Sequence, residues 1–182
     1  MTTANSLTLG RFLCATIVFA EGWHKMWAAC LAAYAIGLVT DAVDGRLARA
    51  TSSTTPFGRA MDSAADKTLA AAAMLALASA ARLPAWLVFS FIAREFAVFG
   101  LRAIRLPGGG GIAEIADAIG RARFFFLHEG IAALLVPESP LLLHFGGICV
   151  VAFATCLAYA SLVFYIARDR AILRAAMRKS AE

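Results

Sequence analysis

Residues 141–167 read LLLHFGGICVVAFATCLAYASLVFYIA. The run holds no Asp, Glu, Lys or Arg. At 1.5 Å per residue, a helix through it more than crosses a hydrocarbon core of about 30 Å. Only helices and closed barrels satisfy their backbone in lipid. Barrel strands alternate apolar and polar residues, and this run does not. Five further apolar runs stand at 7–20, 27–43, 64–81, 84–104 and 119–136. Turn signals divide them: Glu21-Gly22, Arg82-Leu83-Pro84 and Pro137-Glu138-Ser139-Pro140. Residues 107–111, with four consecutive glycines, read as a connector.

The composition agrees. The chain has 182 residues, 61% apolar, with a mean hydropathy of +0.75, where soluble domains stay nearer half apolar. The expected fold class is an all-α integral membrane protein of six transmembrane helices, forming one domain over residues 1–182. Cys14, Cys30, Cys149 and Cys156 all fall inside apolar runs. Their spacing is that of neither a zinc nor a redox site, so they read as small packing residues.

The formal charge of +5 follows membrane topology rather than a nucleic-acid partner. With the N-terminus inside, the inner segments carry Arg46, Arg49, Arg59, Lys67, Arg102, Arg105, Arg121 and Arg123. Arg168, Arg170, Arg174, Arg178 and Lys179 add to them. The outer turns carry Lys25 and Arg82. The positive-inside rule then puts both termini in the cytoplasm, with the tail after residue 167 near anionic headgroups. A competing reading takes 12–20 as a signal-peptide core, cleaved after Val18-Phe19-Ala20. It lacks a basic residue before Arg11 and would spoil the charge asymmetry.

The polar segment between the second and third runs carries the chemistry. It reads Thr40-Asp41-Ala42-Val43-Asp44-Gly45-Arg46-Leu47-Ala48-Arg49, followed by Thr55, Gly58, Asp62 and Asp66. Asp41 and Asp44 lie three apart and Asp62 and Asp66 four apart, so each pair shares a helix face. An antiparallel return through 50–57 would let four carboxylates converge at the cytoplasmic boundary. Four such groups repel one another without compensating charge. An oxygen-only set suits hard divalent cations, and two such ions can clamp a diphosphate. Gly45 and Gly58 would admit a close ligand, and Arg49 could reach a phosphate with its fork of donors.

The spacing Asp-x-x-Asp-Gly-x-x-Ala-Arg, eight residues, Gly-x-x-x-Asp-x-x-x-Asp is met at every position from Asp41 to Asp66. It resembles the signature of the CDP-alcohol phosphatidyltransferases. That resemblance implies magnesium or manganese, two ions, held by Asp41, Asp44, Asp62 and Asp66, with Asp66 also the general base. It implies that Gly45, Arg49, Thr55 and Gly58 hold the CDP moiety. It further implies a homodimer with its site open to the cytoplasmic side of the inner membrane.

The branch is read from weaker elements. Asn5-x-x-Thr8-x-x-Arg11 is similar to the start of the bacterial phosphatidylglycerophosphate synthases, which adds Asn5 and Thr8 to the CDP-lipid set. Arg94-Glu95 with downstream Arg102 is similar to their Arg-Glu element. Gly120-Arg121-Ala122-Arg123-Phe124 stands where that branch carries Gly-Lys-x-Lys-Thr, keeping charge but losing the threonine. Arg94, Arg102, Arg121 and Arg123 are therefore the expected acceptor-phosphate residues. The implied reaction moves a phosphatidyl group from CDP-diacylglycerol to glycerol 3-phosphate. Inositol phosphate, serine and phosphatidylglycerol stay open as acceptors. A divalent-metal transporter would want its carboxylates near the midplane, and a non-catalytic assembly protein would not need the full acidic spacing. His128 reads as a helix–helix hydrogen-bonding residue, and Trp23, Trp27 and Trp86 as an outer aromatic belt.

Overall fold

A computed structural model describes the backbone of residues 3–51, 56–103 and 111–179 and the side chains of 8–43, 58, 60–101 and 119–167. Among the described residues there are six helices and no strands. They are α1 (Thr3–Trp23), α2 (Trp27–Thr51), α3 (Pro56–Ser79), α4 (Ala85–Ala103), α5 (Gly111–Leu135) and α6 (Leu141–Lys179). Each expected run matches one helix to within two residues at the ends where the run is the longer. The helices outlast the runs because a helix does not stop where its side chains become polar. α2 continues through Asp41 and Asp44 to Thr51, and α6 continues past Ala167 to Lys179.

Among the described residues one stretch, Leu141–Ala167, is long and apolar enough by composition to cross a membrane, and Trp27–Val43 is a shorter apolar one. α1, α3, α4 and α5 carry Arg11, Asp66, Arg94, Glu95 and Arg123 within their lengths. Those side chains turn inward: Arg11, Arg94 and Arg123 are buried, while Phe89 and Phe99 are 72% and 73% exposed.

The bundle is assembled from close pairs. α1 packs on α2 and α3, α5 on α6, and α4 on α6 and α3. Small residues make this possible. A Cβ at Gly22 would overlap the Cβ of Ala76, so α1 and α3 nearly touch backbones there. A Cβ at Gly130 would lie 2.7 Å from Val151 Cγ2 and 3.1 Å from the Gly147 carbonyl oxygen, and the same closeness joins α5 to α6. Small-residue contact of this kind suits helices that association in lipid must hold together. Between them lies a core of Tyr34, Leu69, Met74, Leu77, Leu127 and Leu134.

Two of the tight turns share one geometry. Met26 N–H donates to Glu21 O and Lys25 N–H to Gly22 O; Arg82 N–H donates to Leu77 O and Ala81 N–H to Ala78 O. This is the Schellman pattern, with Lys25 (φ 61°) and Ala81 (φ 57°) at the left-handed position usually given to glycine. Arg82 then binds the turns of that end together. It donates to Val136 O at 3.0 Å and Ser139 Oγ at 3.1 Å, and its guanidinium sits 4.7 Å over the Trp27 ring. The opposite end, where α2 gives way to α3, is left for the polar site.

α1 is an integral part of this bundle, with Thr8, Arg11, Ala15 and Val18 buried. Tyr34 on α2 and His128 Nδ1 on α5 share a buried hydrogen bond of 2.5 Å, the helix–helix role expected of His128. Trp23 and Trp86 are exposed at the end where Arg82 sits, as a belt would be. Residues 104–110, most of the expected glycine connector, lie outside the described residues.

Candidate active site

Thr8 and Arg11 are three apart on α1 and present one face. Thr8 Oγ1 donates to Asp62 Oδ1 at 2.6 Å. Arg11 NH1 donates to Asp66 Oδ1 at 2.7 Å, and its NH2 lies 3.2 Å from Asp41 Oδ1. A single face of α1 thus engages Asp41 on α2 and both aspartates of α3. The fork of a guanidinium is suited to this, since its N–H donors can address two carboxylates at once.

Three of the four expected aspartates are therefore gathered at one end of α1, α2 and α3. The side chain of Asp44 lies outside the described residues, although its backbone continues α2 one turn beyond Asp41. Among the described residues no three acidic, His or Cys side chains stand close enough to share an ion. Gly58 is on α3. The side chains of Asn5, Arg49 and Arg102, and the whole of Thr55, lie outside the described residues, as does any contact of Gly45. Thr8, expected on the CDP-lipid, spends a hydrogen bond on Asp62.

Carboxylate oxygens are the ligand type that hard divalent cations take, although the described side chains are not drawn together around one point. The contacts seen use Oδ1 of Asp41, Asp62 and Asp66. A buried cation, Arg11, already bridges Asp41 and Asp66, which shows that this pair draws positive charge between α2 and α3.

A second polar cluster adjoins the first. A cavity of about 450 Å³ is lined by Asp66, Lys67, Glu95, Arg121, Arg123 and Tyr165, with Arg94 and Ser63 also at its wall. Asp66 thus belongs to both clusters. Arg123 is buried; its NH1 donates to Glu95 Oε1 at 2.7 Å, and its buried Nε has no hydrogen-bond partner among the described residues. Lys67 Nζ lies 3.5 Å from Glu95 Oε2 and donates to Ser63 Oγ at 3.0 Å.

The four expected acceptor arginines divide. Arg121 and Arg123 line the cavity. Arg94 also lines it, but all three of its nitrogens are committed. NH1 donates to Glu95 Oε1 at 2.8 Å, NH2 to Ser161 Oγ at 2.6 Å and Nε to Ala158 O at 3.2 Å. Arg94 ties α4 to α6 and spends three of its five N–H donors in these contacts. Lys67, weighed in the sequence only as a cation that could offset the aspartates, and Glu95, named only with the Arg-Glu element, were outside the expected acceptor-phosphate set, and Arg11 was not expected as the partner of the aspartates. A charge within an apolar run is a signal that could have found all three.

Residues 1–172 match the CDP-alcohol phosphatidyltransferase family. The chain belongs to that family. It is similar to the CDP-diacylglycerol–glycerol-3-phosphate 3-phosphatidyltransferase of Bacillus subtilis, 38% identical over 107 residues, which cover 59% of this chain and 54% of that protein. The matched region thus spans about half the length of the Bacillus relative. It is also similar to a probable phosphatidylglycerophosphate synthase of Mycobacterium tuberculosis, 32% identical over 171 residues, which cover 91% of this chain and 80% of that protein.

Proposed function

We propose that this chain transfers the phosphatidyl group of CDP-diacylglycerol to glycerol 3-phosphate, releasing CMP and forming phosphatidylglycerophosphate. The observation that carries the choice of acceptor is the cavity between Asp66 and the buried Arg123, whose Nε is without a partner among the described residues. A buried guanidinium with unspent donors is suited to an oxyanion. The printed names of the Bacillus and mycobacterial relatives support the same acceptor.

In this reading the acceptor's phosphate lies against Arg123, Arg121 and Lys67, which leaves its hydroxyl on the Asp66 side of the cavity. Asp66 takes the hydroxyl proton as general base. The oxygen then attacks the phosphorus that bears diacylglycerol, and the bond to CMP breaks. Asp41, Asp44, Asp62 and Asp66 would hold the magnesium or manganese ions, which when bound offset the diphosphate and leaving-group charge. Asn5, Thr8, Gly45, Arg49, Thr55 and Gly58 are assigned to the CDP-lipid from the family resemblance. Arg102 remains with the acceptor set on the same ground, and Arg94 supports that set from behind.

The six helices are read as crossing the bacterial inner membrane, with both termini and the site cytoplasmic and residues 1–182 forming one domain. Support comes from the distribution of side chains. Charged groups are inside the bundle, and large apolar groups such as Phe89, Phe96 and Phe99 are outside, the reverse of a water-soluble arrangement. A homodimer belongs to the same reading.

The test is Asp66→Asn. The amide is nearly isosteric but cannot accept the proton at neutral pH. CMP release should fall by at least about a hundredfold, the scale of general-base catalysis, while binding of CDP-diacylglycerol persists. A normal rate in that variant would remove Asp66 from the role of base.

A further inference from the structure

We propose that Glu95 is a positioning residue for the acceptor, holding Arg123 and Lys67 in their phosphate-binding places before the acceptor arrives; this rests on the acceptor site proposed above. Glu95 Oε1 accepts from Arg94 NH1 at 2.8 Å and from Arg123 NH1 at 2.7 Å, so one oxygen joins two guanidiniums. Arg94 is itself immobilised on α6 through Ala158 O and Ser161 Oγ. The result is a relay from α6 through Arg94 and Glu95 on α4 to Arg123 on α5. Lys67 on α3 meets the other carboxylate oxygen at 3.5 Å. Glu95 thus touches cations from three helices and fixes their separation.

Without this carboxylate, Arg94 and Arg123 would face each other as buried like charges, and Arg123 would turn away from Arg94. Charge balance points the same way. The cavity wall holds four cationic side chains, Lys67, Arg94, Arg121 and Arg123, against two anionic ones, Asp66 and Glu95. The formal surplus of two matches a phosphate monoester, which carries about −1.5 to −2 at neutral pH. Glu95 therefore sets both the placement of Arg123 and the charge that the acceptor must complete.

The experiment is steady-state kinetics of the full chain in detergent. Glycerol 3-phosphate is varied at saturating CDP-diacylglycerol, and then the reverse. In Glu95→Gln the KM for glycerol 3-phosphate should rise at least about tenfold, the scale of one charged hydrogen bond, with the KM for CDP-diacylglycerol unchanged. A lowered acceptor KM would overturn the proposal, because added positive charge would then outweigh lost positioning. A parallel rise in both KM values would also overturn it, as general damage to the fold. Arg123→Ala separates the two ideas. If it leaves the acceptor KM unchanged, the acceptor site itself is misassigned. If it raises that KM and Glu95→Gln does not, the site stands and the role of Glu95 falls. Should Glu95→Gln not fold, Glu95→Asp carries the test, since it keeps the charge but withdraws it by one methylene. A rise confined to the acceptor KM supports positioning, and no change contradicts it.

Discussion

Replacing Arg11 by leucine tests how the aspartates are held. Leucine fills much of the space but removes the cation that stands 2.7 Å from Asp66 and 3.2 Å from Asp41. The two contacts are unequal. The Asp66 side chain is 21% exposed and the Asp41 side chain 44%. Removing one partner of a buried pair costs about 3–5 kcal/mol, and partial exposure of Asp66 argues for the lower end. The Asp41 contact is largely screened and adds at most about 1 kcal/mol. A loss of about 3 kcal/mol corresponds to about 6–12 °C in Tm for a chain of this size. Tryptophan fluorescence of the detergent-purified protein, heated with EDTA or with magnesium, would follow it. With EDTA, Arg11→Leu should unfold about 6–12 °C below wild type. Magnesium should raise the variant more than wild type, because a bound cation replaces part of the missing charge. A Tm within about 2 °C of wild type in EDTA would refute the clamp. An equal magnesium shift in both proteins would refute the link between Arg11 and the cation site.

Two further predictions concern the scaffold. Ala81→Gly should raise Tm by about 2–4 °C, because relieving a left-handed alanine (φ 57°) is worth about 1 kcal/mol; a fall in Tm would mean that the turn owes nothing to its backbone geometry. Tyr34→Phe keeps the ring but strips His128 Nδ1 of its partner in a buried setting where Nε2 already has none among the described residues. It should cost about 1–3 kcal/mol, read as a lower Tm with unchanged KM values, and a neutral outcome would show that the pair does not join α2 to α5.

The six helices were legible because apolar runs and turn residues recur along the chain, and the family followed from the spacing between Asp41 and Asp66. What spacing reports is a relation within one helix, so Asp62 and Asp66 were correctly put on one face of α3. Relations between helices are tertiary and left weaker traces. Arg11 sits in an apolar run with nothing nearby in sequence to show that α1 would deliver it to aspartates 30 and 55 positions away. Arg94 and Arg123 looked alike as cations near the same face. Only packing against Ala158 and Ser161 makes the first a strut and leaves the second with spare donors. The motif from Asp41 to Arg49 was legible as helix, and α2 runs on to Thr51 as a return through 50–57 requires; that the basic tail continues α6 to Lys179 was not, because its polarity marks only where the apolar run stops.

The proposed function is a single transfer between two substrates. Purified protein would be given CDP-diacylglycerol, magnesium and glycerol 3-phosphate labelled in its glycerol, and both CMP and labelled lipid would be measured, with inositol phosphate, serine and phosphatidylglycerol in parallel reactions. The prediction is that CMP and labelled lipid form in equal amounts, only with glycerol 3-phosphate and only with the divalent cation. CMP that forms with another acceptor, or no label in lipid from protein shown to be folded, would contradict it.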